Sequence, residues 1–118
     1  MKISRRVPRI KVLEKVIQKQ ILQYLTLKKV WAIRNNTGSF QIKRKDGSEG
    51  YAKTGERGLA DIVAFTRNSV IWIECKPSTG GKQSDNQKEF QLKAEAHGHI
   101  YIVAKGIEDV QCLFGEVK

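Results

Sequence analysis

The sequence predicts a mixed α/β domain: a central mixed sheet flanked by helices, in the order αβββαβ with a short C-terminal helix. Three observations predict it. Two segments, from about Ile10 to Leu27 and from Ser84 to just before Gly98, have the spacing or the end signals of helices. Between them lie short apolar runs punctuated by turn signals, the pattern of hairpins. One more apolar strand follows the second helix. Helix, strands, helix and strand in that order pack as a sheet covered by helices. At 118 residues the chain has the length of one domain, 1–118, opening with a basic arm over 1–9. A chain of that size buries roughly two-thirds of its unfolded surface without staples.

In the first helix Ile10, Leu13, Ile17, Ile21, Tyr24 and Leu25 share one face at 100° per residue. Glu14 falls inside that face. A carboxylate turned toward a core is costly unless it is paired or binds a cation, so Glu14 either sits at the rim beside a lysine or belongs to a site. The polar stretch 38–58 holds strand patterns at Phe40–Lys43 and Gly50–Lys53 around Asp46-Gly47, a hairpin-turn signal. A second hairpin joins Asp61–Phe65 to Val70–Lys76 through Thr66–Ser69, and Pro77–Gly81 ends it. Ser84 and Gln87 stand as N-cap and N3 of a capping box, and Gly98 suits the position just past the helix end. His99–Ala104 reads as a strand and Ile107–Phe114 as a short helix.

Net charge is +10 and the pI about 9.8. The first thirty residues contain Lys2, Arg5, Arg6, Arg9, Lys11, Lys15, Lys19, Lys28 and Lys29, opposed only by Glu14. Such a surface attracts polyanions, nucleic acid foremost. A membrane partner is not expected. No apolar run approaches the ~20 residues of a bilayer span, and the first segment lacks the bulky aromatics of an interfacial helix. The N-terminus carries no apolar signal-peptide core, so a cytoplasmic protein is expected. Cys75 and Cys112 are too few for a disulfide framework or a structural zinc site and read as two buried thiols.

The second hairpin carries the chemistry. If Thr66–Ser69 is the loop, Phe65 faces Val70, paired positions sum to 135, and Asp61 faces Glu74. Directly opposed β-carbons stand about 4.5–5.5 Å apart. Strand periodicity adds Lys76 and Trp72 to the same face, with Cys75, Ile71, Ile73, Ile62 and Ala64 on the other. Two opposed carboxylates repel without a cation. With an ammonium beside them they suit hydrolysis assisted by Mg²⁺, which prefers oxygen ligands and takes one or two carboxylates together with waters and substrate phosphate. Glu14 is the candidate for a further acid if the first helix packs beside the hairpin. The alternative is a surface ladder of Asp61, Glu74 and Lys76 forming one ion pair. The Glu-x-Lys tripeptide is uninformative alone, since it recurs at Glu116–Lys118. Its weight comes from Asp61.

These residues resemble a known superfamily. Asp61 followed by Glu74-Cys75-Lys76 at the end of an apolar strand is similar to the PD-(D/E)XK nuclease signature. Within it the VRR-NUC (virus-type replication-repair nuclease) domain is the nearest match. Glu14–Gln18 with Ile21–Leu25 resembles its opening helix, Trp31–Gly38 its next strand and turn, Gly58–Asp61 its glycine–aspartate element, and Gly81–Gln87 the start of its second helix. Ala60 departs from the pattern, in which proline often precedes the aspartate. No signature maps onto 40–57.

The resemblance implies a restriction-endonuclease-like core and a Mg²⁺- or Mn²⁺-dependent DNA endonuclease. Glu14, Asp61, Glu74 and the Cys75 backbone carbonyl would hold the metal, and Lys76 and Gln87 would complete the catalytic set. It also implies branched DNA, four-way (Holliday) junctions or flaps, as substrate, a homodimer, and a phage enzyme at work inside a bacterial host cell. Arg5, Arg6, Arg9, Lys43, Arg44, Lys45 and Lys53 are the expected DNA-binding residues. Two rivals stand beside this reading: a non-catalytic DNA-binding module of the same fold, and a basic protein-interaction domain such as an assembly factor. Gln87 is either a site residue or a cap, Trp72 packs or stacks on a base, and His97 and His99 read as turn residues.

Overall fold

The structure, a computed structural model, describes residues 11–35, 39–53 and 57–114, and at 39–42 and 50–53 it describes the backbone alone. Among these residues the chain forms α1 (Glu14–Leu27), β1 (Trp31–Arg34), β2 (Ser39–Lys43), β3 (Glu49–Lys53), β4 (Ile62–Phe65) and β5 (Val70–Cys75). Then follow α2 (Asp85–Ala96), β6 (Ile100–Ala104) and α3 (Glu108–Phe114). The central sheet has the order β1-β4-β5-β6, antiparallel except for the parallel β5–β6 pair. A parallel pair needs a crossover, and α2 supplies it. Strands β2 and β3 form a separate hairpin rather than joining the central sheet. This is the expected mixed α/β architecture.

Alternation along the two inner strands sorts the molecule into layers. Ile62 and Ala64 of β4 and Ile71, Ile73 and Cys75 of β5 face Ile17, Ile21, Tyr24 and Leu25 of α1 and Val110 of α3. Burying each such isoleucine or leucine contributes about 2 kcal/mol. The opposite face is smaller: Ala60, Trp72 and Tyr101 pack on Phe90 and Ala94 of α2. Trp72 is thus a packing residue, edge-on to Phe90 with centroids 4.9 Å apart, and its Nε1–H donates to His99 Nδ1 at 3.0 Å.

The second hairpin has the expected register, Phe65↔Val70 through Ile62↔Ile73, because the four-residue loop closes with Thr66 N–H donating to the Ser69 carbonyl at 2.9 Å. Helix α2 has both expected ends. Ser84 and Gln87 form the full capping box. At the other end the His99 N–H reaches the Ala94 carbonyl and the Gly98 N–H the Glu95 carbonyl, each at 3.0 Å. That pairing needs a left-handed residue between them, and Gly98 adopts φ +79°.

Two expectations are corrected. Helix α1 begins at Glu14, not near residue 10, because Leu13 is extended and Val12 is tied to Ser78: its N–H donates to Ser78 Oγ at 2.8 Å and its carbonyl accepts from the Ser78 N–H at 3.2 Å. Leu13 is therefore the N-cap, 61% exposed, rather than part of the buried face. Cys75 is buried as expected, but Cys112 is exposed on α3. Along β6 and α3, Tyr101, Ala104 and Val110 are buried, whereas Ile100, Val103 and Leu113 are exposed. Among the described residues no helix is long and apolar enough to cross a membrane.

Candidate metal centre

Helix α1, the start of β4 and the end of β5 converge at one end of the two inner strands. Strand β5 lies inside the sheet, between β4 and β6. Helices cover both faces of β5, α1 and α3 on one and α2 on the other, so its run is apolar, and the sole charged residue of Val70–Cys75 is left with its side chain 2% exposed. That residue is Glu74. A surface ion-pair ladder is excluded by this burial.

Asp61 continues the register opposite Glu74 but lies one residue beyond the last ladder pair, and its carboxylate turns back along the strand. Oδ2 accepts the Cys75 N–H at 2.8 Å. The Asp61 backbone is pinned from the other side. Asn35 donates its N–H to the Asp61 carbonyl at 2.7 Å and its side-chain amide to the Ala60 carbonyl at 2.9 Å. In the sequence Asn35 stands out only as part of the strand-and-turn segment Trp31–Gly38, with no signal for this role.

Gly58 fixes the other wall. At φ +76° and against the Asn86 carbonyl, it admits no β-carbon. The loop before Asp61 thereby packs backbone to backbone on the first turn of α2, which brings Gln87 over Glu74.

Glu14, the first residue of α1, completes the cluster. One carboxylate oxygen from each of Glu14, Asp61 and Glu74 lies within 4.8 Å of the other two. The rim salt bridge considered for Glu14 is not formed among the described residues. Burial, then the charge of Asp61, raises the Glu14 carboxyl above its ordinary value, and Lys76 partly offsets them. The same causes act more strongly on Glu74, which burial and the adjacent Asp61 push up to about 9. Burial also raises the Cys75 thiol, reinforced by Asp61 and Glu74, so it stays neutral and is no nucleophile.

Gln87 caps the helix and also contacts two of the expected site residues. Its Oε1 accepts from the Ser84 N–H at 2.8 Å, as a cap, and from Lys76 Nζ at 2.9 Å. Its Nε2 donates to Glu74 Oε1 at 2.8 Å. Lys76 Nζ stands 3.9 Å from Glu74 Oε1 and is only 12% exposed. The lysine, the amide and the carboxylate thus form one tied set.

One atom is left over. Glu74 Oε2 is buried and has no hydrogen-bond partner. An unmatched buried carboxylate oxygen beside a second carboxylate is unstable as it stands. A proton shared with Asp61 relieves it, and so does a cation. Three acidic oxygens around a common point are a donor set that could bind a metal ion.

Of the expected DNA-binding residues, Lys43, Arg44 and Lys45 are exposed on the β2–β3 hairpin. Arg5, Arg6 and Arg9 lie outside the described residues, as does the side chain of Lys53. In comparisons of the sequence with family models and with curated proteins, nothing matched.

Proposed function

We propose that the chain is a metal-dependent DNA endonuclease of the PD-(D/E)XK type, similar to VRR-NUC domains, acting on branched DNA such as four-way junctions or flaps. The observation that carries this reading is the buried, unpartnered Oε2 of Glu74, with acidic oxygens of Asp61 and Glu14 within 4.8 Å and the Lys76 ammonium beside it.

Glu14, Asp61 and Glu74 would hold Mg²⁺ or Mn²⁺, both of which favour oxygen donors. The Cys75 carbonyl suits a fourth ligand, because the N–H and C=O of an extended residue point to the same side of the strand, and this N–H points at Asp61. The chemistry supplied there by a bound ion is neutralisation of charge at a phosphoryl oxygen and a more acidic attacking water.

The chain's own groups do the rest. Asp61, locked through Asn35 and the Cys75 N–H, would offer its carboxylate to the ion from one fixed position. Gln87 holds the Lys76 ammonium in one direction, so a fixed positive charge faces the oxygens on which negative charge develops. Burial beneath α2 keeps these interactions strong by excluding water.

A purely DNA-binding domain has no use for an acidic cluster built around a buried carboxylate, which repels phosphate. Cleavage separates the two readings: labelled four-way junction and linear duplex are incubated with MgCl₂, MnCl₂ or EDTA. Cleavage with either metal, lost in EDTA and in Glu74→Gln, is expected. Tight DNA binding with no cleavage under any metal would leave the binding module.

A further inference from the structure

We propose that the cleft beside Glu14 seats the DNA backbone, with Lys11, Lys15 and Arg34 gripping the phosphates that flank the one to be cut. This deepens the nuclease reading and rests on it for the identity of the anion. The cleft, about 570 Å³, lies between the start of α1, the end of β1 and the turn after β5. Lys11, Lys15 and Arg34 line it with Gln18, while Leu13 and Pro77 form an apolar wall. Its one carboxylate is Glu14, which is shared with the acidic cluster, so the cleft opens onto the candidate metal centre.

Three properties single out these cations. All three are exposed, and none forms an ion pair among the described residues. Their charge is thus not consumed by the fold.

Each is also the sequence neighbour of a residue that the fold ties to the site. Arg34 precedes Asn35, which is bound to the Ala60 and Asp61 carbonyls. Lys15 follows Glu14. Lys11 precedes Val12, which exchanges two hydrogen bonds with Ser78 just past Lys76 and Pro77. Their backbone positions are therefore set relative to the three acids, whereas Lys43, Arg44 and Lys45 sit on a hairpin outside the central sheet. An extended polyanion led by three fixed cations to an acidic cluster that takes a metal is a nucleic-acid strand, held without reading its sequence.

The test compares the wild-type chain with a Lys11→Ala, Lys15→Ala, Arg34→Ala variant. Binding of a fluorescein-labelled DNA duplex is followed by anisotropy across a salt series in EDTA. Each lost phosphate contact makes the slope of log K against log salt shallower by about 0.9, so a flattening of roughly 2 to 3 is expected. The rise in melting temperature on adding MnCl₂ should stay as in the wild type, because the acids are untouched. An unchanged salt slope would overturn the proposal, as would loss of the MnCl₂ response, which would tie these cations to the metal centre instead. If the triple variant does not fold, Lys15→Gln with Arg34→Gln is read in the same way, with a flattening of roughly 2. Failure of the nuclease reading looks different: a wild-type chain that binds DNA with the steep slope and cleaves none.

Discussion

Replacing Glu74 by glutamine should stabilise the metal-free protein, the reverse of what loss of a buried ion pair would do. The carboxyl is raised from 4.5 to about 9, chiefly by burial and then by Asp61. A proton is then held more tightly in the folded than in the unfolded chain. Stability from this group is full below pH 4.5 and is lost as pH rises toward 9. At pH 7 the unfolded side chain is ionised while the folded one still holds its proton, a gap of about 2.5 units. At 1.36 kcal/mol per unit this costs the wild type about 3 kcal/mol relative to a neutral isostere. The amide of Glu74→Gln keeps the acceptor for Gln87 Nε2 and can donate toward Asp61, so little is lost in exchange.

In EDTA at pH 7 the variant should therefore melt on the order of 10 °C above the wild type, at roughly 4 °C per kcal/mol for a domain of this size. Near pH 5 the difference should almost vanish. Saturating MnCl₂ should raise only the wild type, by about 2.7 kcal/mol at a hundredfold excess over Kd, and only the wild type should cleave DNA. Melting curves at pH 5, 7 and 8, with EDTA or MnCl₂, decide it. A variant that melts below the wild type in EDTA at pH 7 would show that Glu74 serves as an ion-pair partner of Lys76, and the metal reading would lose its main support.

Other substitutions read the remaining contacts. Glu14→Gln should leave the EDTA melting temperature at pH 8 unchanged or higher, because the folded carboxyl is already raised, while weakening the MnCl₂ response; a clear drop in EDTA would indicate a structural role. Gln87→Ala should lower stability by about 1 kcal/mol through the broken capping box, and slow cleavage as well by releasing Lys76; loss of stability with full activity would leave it a cap alone. Gly58→Ala should cost at least about 2 kcal/mol in urea titration, since it combines a strained backbone with a clash against Asn86. In sedimentation we expect a two-fold homodimer, the simplest way to bring two sites to the two strands of a junction, with branched DNA cut faster than linear duplex; a monomer cutting both equally would refute this.

Local chemistry was legible in the sequence wherever neighbours in the chain are partners in space. The loop Thr66–Ser69 determines which residues of β4 and β5 face each other, so a single turn placed Asp61 near Glu74 and sorted Trp72 from Cys75. Ser84, Gln87 and Gly98 marked the ends of α2 because caps are satisfied within a few residues. The apolar stripe of α1 was equally plain, but its start was not. Val12 is drawn out of the helix by Ser78, 66 residues away, and no periodicity reports a partner that distant.

Tertiary structure alone decided three things about the site. It buried Glu74, because the parallel addition of β6 turned β5 into an inner strand with helices over both faces. It brought the capping residue Gln87 against Glu74 and Lys76, because Gly58 lets α2 approach the loop before Asp61 at backbone distance. And it carried Glu14 to the acids through the packing of α1 on the opposite layer. The sequence by itself determined which acids and which lysine the chain possesses, and the register of one hairpin. How far each stands from water depends on layers that are hundreds of atoms away along the chain, and burial is what turns a pair of carboxylates into a place for a cation.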